Sequence, residues 1–276
     1  MIFELLGKEL AERIVSVIPE DKITEIRLRL GKKIAVKDIT KTVFITEIAT
    51  QRIIEALIDN VTARSRYAFF EEIKSGYIYC KDGIRVGLAG DGVVQNGALT
   101  GIKSIRHVNL RLAHDIEGVA SRLYSDSFSN TLIISPPFCG KTTVIRDYAR
   151  HLAKAYDVSV VDERYELFGK ADGGYSFKTG ERMDIVSGVP KSLCVEGIIR
   201  AMSPEIVVLD EVFPAHDLYT LRELSRSGIK ILASLHAENP DRARTALPEI
   251  TSLFTFAVTL SNKPTVGHIQ SVTRLQ

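Results

Sequence analysis

No stretch of this sequence approaches the run of ~20 apolar residues that a membrane-spanning helix needs. Cysteine is scarce. Its three copies, Cys80, Cys139 and Cys194, show no metal-ligand spacing and cannot all pair with one another, which points to free thiols in a reducing compartment. An excess of either charge is also lacking. Against 36 Lys and Arg stand 34 Asp and Glu, a formal net charge of +2, so no whole-molecule field draws the chain to nucleic acid or to a membrane surface. Basic stretches interleaved with aromatics, repeats and low-complexity segments are missing as well, and no nucleic-acid partner is expected. The opening Met1-Ile-Phe-Glu-Leu-Leu-Gly-Lys-Glu-Leu is an amphipathic pattern with acidic residues and does not read as a signal peptide, so the expected location is cytoplasmic.

With 45% hydrophobic and 25% charged residues the chain can bury a good core, and 276 residues suit two domains of ordinary size. From Phe3 to Ile18 apolar residues recur at helical spacing, ended by Pro19. Ile26, Leu28 and Leu30 alternate with charged residues as a half-buried strand does, and Gly31-Lys32-Lys33 turns the chain into Ile34-Ala35-Val36. Residues 45–73 read as helices, and residues 77–79 and 84–88 as strands joined through Lys81-Asp82-Gly83. These features predict an α+β domain over residues 1–112. Beyond it, short β-branched runs at 131–134, 158–161, 206–209, 229–233 and 256–260 alternate with helical stretches. Continuous apolar strands are buried on both faces, as in a parallel sheet, so residues 113–276 are expected to form an α/β domain.

The stretch Thr131-Leu-Ile-Ile-Ser-Pro-Pro-Phe-Cys-Gly140-Lys141-Thr142-Thr143 carries the chemistry. A buried strand runs into a loop, and the loop into a helix, at Gly-Lys-Thr, the setting of a phosphate-binding loop. Backbone N–H groups there point at phosphates, aided by the positive end of the helix dipole. The nucleotide-cradling residues expected are Ser135, Pro136, Pro137, Phe138, Cys139, Gly140, Lys141, Thr142 and Thr143. Lys141 reaches the β- and γ-phosphates, and Thr142 sets its hydroxyl on Mg²⁺. Ser135 stands where the usual Gly-x-x-x-x-Gly-Lys-[Ser/Thr] pattern has its first glycine.

Such a loop needs carboxylates at neighbouring strand ends. Ile206-Val-Val-Leu-Asp210-Glu211 supplies two: Asp210 suits the water shell of Mg²⁺, and Glu211 suits polarising an attacking water. Val158-Ser-Val-Val-Asp162-Glu163 ends in the same way, so Glu163 and Glu211 are rival candidates for orienting water. The strand from Ile229 brings Ser234 and His236 to its exit, placed to contact a γ-phosphate.

A phosphate loop, an acidic box on the next strand, a second acid-tipped strand and a histidine box, in that order, resemble the secretion-ATPase branch of the RecA-like ATPases. More narrowly, the chain is similar to the family of stage III sporulation protein AA of endospore-forming bacteria. The matching stretches include Tyr67-Ala-Phe-Phe-Glu-Glu-Ile-Lys-Ser-Gly-Tyr, Gly83-Ile-Arg-Val-Gly-Leu-Ala-Gly, Asn109-Leu-Arg-Leu-Ala, Val161-Asp-Glu-Arg-Tyr-Glu and Met202-Ser-Pro-Glu-Ile-Val-Val-Leu-Asp-Glu. The resemblance implies a RecA-like ATPase domain and an ATP-hydrolysing subunit of a hexameric ring. It also implies membrane-embedded sporulation channel proteins as partners and a mother-cell location at the inner face of a membrane. In such ATPases, arginines of the N-terminal domain complete a neighbour's site; Arg111 matches best and Arg106 is a second candidate. The glycine expected from the family pattern after Glu211 is missing from Val-Phe-Pro-Ala-His-Asp.

Other function classes are open to weighing. A nucleotide-gated scaffold with little turnover is favoured by the altered loop and opposed by Lys141, Asp210 and Glu211. A GTPase is suggested by Asn262-Lys263-Pro264-Thr265, but Thr265 stands where the guanine-pairing carboxylate belongs. A DNA-dependent motor of RecA-like type is opposed by the near-neutral charge.

Overall fold

The structure, a computed structural model, describes residues 2–137, 139–171 and 173–276. The chain divides into two units: residues 1–114 with 169–176, and residues 115–168 with 177–276. The excursion of residues 169–176 into the first unit has no signal in the sequence.

In the first unit, helices α1 (Ile2–Leu6) and α2 (Lys8–Val17) replace the single helix expected, because Gly7 between them adopts φ +77°. Strands β1 (Glu25–Arg29), β2 (Lys33–Lys37) and β3 (Thr42–Ile48) follow as antiparallel neighbours. The expected helix over residues 45–73 is thereby corrected at its start. The run Thr-Val-Phe-Ile-Thr is β-branched and aromatic, and the Asp38 carboxylate accepts from the backbone N–H of Thr40 and Lys41 at 2.6 and 2.7 Å, forming the turn that folds β3 onto β2. Helices α3 (Gln51–Val61, capped by the Thr50 hydroxyl) and α4 (Phe70–Lys74) lead to β4 (Tyr77–Tyr79), β5 (Ile84–Gln95) and β6 (Ala98–Leu112). The sheet order is β3-β2-β1-β6-β5-β4, antiparallel throughout. Ile26, Leu28, Val86, Leu88, Val108 and Leu110 point into a core shared with Ile14, Ile54 and Leu57 of the helices. Alternate residues therefore leave the opposite face of the sheet without that cover.

In the second unit the strands are β7 (Thr131–Ser135), β8 (Val158–Asp162), β9 (Met183–Ser187), β10 (Ile206–Glu211), β11 (Lys230–His236), β12 (Phe256–Ser261) and β13 (His268–Arg274). Their order is β13-β12-β7-β11-β10-β8-β9, with every pairing parallel except β12 with β13. The connecting helices are α5 (Lys141–Leu152), α6 (Lys191–Met202), α7 (Pro214–Arg226), α8 (Pro240–Ala246) and α9 (Pro248–Thr251). Strands β7 and β8 are buried at every position, and β10 at every position but its last, as expected of central parallel strands covered on both faces. Among the described residues no helix is long and apolar enough to cross a membrane, in agreement with the sequence.

Candidate nucleotide site

Parallel pairing sets β7, β11, β10 and β8 side by side with their C-terminal ends on one edge, where open α/β sheets bind ligands. The register places His236 beside Ser135 and Ser234 beside Glu211. Four candidates far apart in the chain thus reach one row of strand tips.

The loop after β7 begins at the buried Ser135, whose hydroxyl donates to the Pro136 carbonyl at 2.7 Å. Phe138 lies outside the described residues. Cys139 is buried, with its thiol 3.7 Å from the Pro137 carbonyl. Gly140 caps α5 with φ +83°, a conformation that favours glycine. A Cβ there would lie 2.9 Å from the backbone nitrogen of Gly267, which itself donates to the Cys139 carbonyl at 3.0 Å. The loop is therefore braced from behind by the β12–β13 connection, a support with no signature in the sequence. Gly140→Ala should cost at least ~1–2 kcal/mol from the left-handed backbone alone. Thermal denaturation checks this; an unchanged midpoint would show that the loop leaves the left-handed conformation without cost. Past Gly140, the first-turn N–H groups of Lys141, Thr142 and Thr143 have no intrahelical acceptor, which leaves them for an anion.

Lys141 leans toward the acids rather than into solvent. Its ammonium lies 2.7 Å from His236 Nδ1, and His236 Nε2 lies 3.1 Å from Glu211 Oε1. The ammonium also lies 3.2 Å from Nε2, so it sits against both ring nitrogens rather than along the Nδ1 lone pair, and Nε2 is the nitrogen within reach of Glu211. Burial holds the Lys141 ammonium below the usual lysine range, against the opposing pull of Glu211 and Asp210. Ser234, expected beside His236 as a phosphate contact, instead is buried and donates to the Asp210 carbonyl at 2.7 Å.

Asp210 is the most perturbed acid. Burial, with Glu166, Asp162 and Glu211 nearby, pushes its carboxyl up to about 8, despite the lowering effect of Lys191. A carboxyl this buried among other acids is held in its neutral form, and among the described residues these acids form no group set to hold a metal, so a cation would have to draw the proton off Asp210. Asp162 instead organises the backbone around it. It accepts from the N–H groups of Glu166, Leu167 and Phe168 at 2.8, 3.1 and 2.9 Å, which coils the chain after β8. The fully buried Arg146 on α5 donates to the Leu167 and Glu166 carbonyls and stacks 3.8 Å from Phe177, fixing the same coil.

Glu163 is engaged elsewhere. One oxygen accepts from the Lys191 backbone N–H and the other lies 3.0 Å from its ammonium, which in turn sits 3.3 Å from Asp217. Lys191 is buried, and Asp217 accepts from the Phe213 N–H at 2.7 Å, so the ion cluster ties the end of β8 to the starts of α6 and α7. Nothing in the sequence singled out Lys191 or Asp217. Arg106 and Arg111 belong to the first unit, on β6. Arg106 is 2.7 Å from Asp91, and Arg111 stands opposite Glu25 and Arg85 in the sheet register.

Comparisons with known proteins agree with this architecture. The solved pilus retraction motor PilT with bound ADP superposes at a TM-score of 0.60 over 94% of this chain and 80% of its own, with 13% identity. The Legionella pneumophila ATPase DotB does so at 0.59 over 91% and 75%, with 12% identity. At such identities the likeness establishes the fold, that of the P-loop secretion ATPases, and no more. Stage III sporulation protein AA of Bacillus subtilis is 32% identical over 248 residues, 85% of this chain and 80% of that protein. The sequence model of the family described as sporulation stage III, protein AA matches residues 2–274. The chain is a member of the sporulation stage III, protein AA family.

Proposed function

We propose that the chain binds ATP with Mg²⁺ at the strand tips of its second unit and hydrolyses it as one subunit of an oligomeric, secretion-type machine. The observation that carries this reading is the chain of contacts from Lys141 through His236 to Glu211 at the start of α5. A lysine ammonium, a set of unsatisfied helix N–H groups, a buried acid and an accessible carboxylate meet the separate needs of a phosphate, a metal and a water. Gly140, Lys141, Thr142 and Thr143, with Ser135 to Cys139, hold the nucleotide; Thr142 and Asp210 take Mg²⁺, Asp210 through water. His236 passes from Lys141 to the γ-phosphate, and Glu211 orients water, with Glu163 as its rival. Arg111, or Arg106 after leaving Asp91, completes the site of an adjoining subunit in a hexameric ring. The fold of the solved secretion ATPases supports such a ring. Family membership supports work beside membrane-embedded sporulation channel proteins, at the inner face of the mother-cell membrane.

A second reading, a nucleotide-gated scaffold of low turnover, draws on the engagement of Glu163 by Lys191 and of Lys141 by His236. The first test is common to both. ATP with magnesium should bind the wild type and raise its assembly size, while Lys141→Ala weakens affinity about 100-fold, or ~3 kcal/mol, and stays at the smaller size. Calorimetry and light scattering read the two effects. No heat with well-folded wild type would end the proposal, and a monomer under every condition would end the ring.

A further inference from the structure

We infer that the bare face of the N-terminal sheet carries an anion site for a phosphate group, separate from the loop after β7. Strands β1, β6 and β5 bring two adjacent rows of side chains to that face: Arg27, Asn109 and Gly87 in one, Arg29, His107 and Ala89 in the next. They line a hollow of about 270 Å³. Its polar side chains are Arg27, Arg29, His107 and Asn109, set in a lining that is otherwise apolar. The guanidinium of Arg29 and the imidazole of His107 have no partner among the described residues, and Arg27 is held at the margin by Glu25. Asn109 turns its amide oxygen inward, buried and without a hydrogen bond, which leaves the NH₂ as the accessible end. An orphaned buried carbonyl costs ~1–3 kcal/mol, an arrangement with a use if an acceptor occupies the other end.

Gly87 is the second argument. Its φ is not positive, and a Cβ placed on it would meet only Asn109 Cβ and the Asn109 carbonyl at 3.8 Å, an ordinary contact. Neither backbone conformation nor packing requires glycine there. A side chain at 87 would instead stand in the hollow between Asn109 and the edge of the sheet. Arginine, imidazole and amide groups from two neighbouring strands that line one hollow suit the several oxygens of a phosphate, and the apolar remainder admits the group that bears it. The same phosphate chemistry is offered by a soluble monoester and by an anionic lipid headgroup.

Both sources are tested on the full chain. Inorganic phosphate is titrated by calorimetry into the wild type, Gly87→Val, Arg29→Gln and Lys141→Ala, and each is sedimented with vesicles of phosphatidylglycerol in phosphatidylcholine or of phosphatidylcholine alone. The expected result is a phosphate-dependent component that survives Lys141→Ala, is lost in Gly87→Val and falls about tenfold in Arg29→Gln. Retention on phosphatidylglycerol vesicles, lost in Gly87→Val and Arg29→Gln, assigns the headgroup as the source; a calorimetric component without vesicle retention assigns a soluble phosphate. Arg29→Gln keeps the test decisive should Gly87→Val fold poorly. Binding of both probes that is indifferent to Gly87→Val and Arg29→Gln, or binding seen only where Lys141 is intact, overturns the site.

Discussion

Glu211→Gln should leave ATP affinity within a few-fold of wild type and lower the rate of phosphate release by roughly 100- to 1,000-fold, the usual loss when one positioned catalytic group is removed. Glutamine keeps the volume of glutamate, and its carbonyl still accepts from His236 Nε2, now 3.1 Å from the carboxylate. The orientation of Lys141 is thereby preserved, and only the capacity to polarise water is lost. Glu163→Gln makes the comparison informative. Both oxygens of Glu163 are occupied by Lys191, whereas Glu211, with a side chain 24% exposed against 22% for Glu163, is engaged by His236 through one oxygen and has the other to spare. The structure therefore favours the larger loss at Glu211. A collapse of turnover in Glu163→Gln with Glu211→Gln nearly unaffected would reverse the assignment and require Glu163 to leave Lys191 in the working state. Background release from the wild type as well would leave the scaffold reading standing.

Local chemistry makes the second unit legible in the sequence. Short apolar runs rich in β-branched residues, such as Ile206-Val-Val-Leu, favour buried strands, and a Gly-Lys-Thr at a strand–helix junction has few other uses. Even there two strands escaped. Met183–Ser187 is only partly buried, and His268–Arg274 is an antiparallel edge, so neither shows a continuous apolar run. The first unit was harder because its signals are two-sided: Thr42–Ile48 has enough apolar residues to pass for the start of a helix, and the long β6 carries a bulge and many exposed positions. Within the site, the tips of β7, β10 and β11 could be named from their sequence endings. The Lys191 cluster could not, since an ion pair between residues 28 positions apart has no local mark. The same holds for the basic face formed by Arg27, Arg29 and His107. The absence of a basic stretch in the linear sequence is accurate, yet a sheet collects charge from strands that lie far apart along the chain.

In the absence of nucleotide and magnesium, Asp210→Asn should stabilise the protein above neutral pH. The folded chain keeps the proton on Asp210 up to about 8, whereas an unfolded chain releases it near 3.8. Between these values the folded state binds the extra proton, so stability is fully present below about 4 and is lost as pH rises through 8. Asparagine has no proton to lose and removes that slope. The span between the two values sets a ceiling of several kcal/mol at ~1.4 kcal/mol per pH unit, and relaxation of the acidic cluster should reduce the observed gain to roughly 2–3 kcal/mol. For a unit of this size that is a rise of roughly 5–10 °C in Tm at pH 9, shrinking to nothing near pH 4. Magnesium with ATP should reverse the order, because the cation favours the ionised carboxylate that only the wild type offers. Thermal melts from pH 4 to 9, with and without magnesium and ATP, measure both effects. Parallel curves for the two proteins across that range without ligand would show that Asp210 is already ionised in the folded chain, and an equal response of the two to magnesium with ATP would show that the acid is a strand end rather than a seat for the metal.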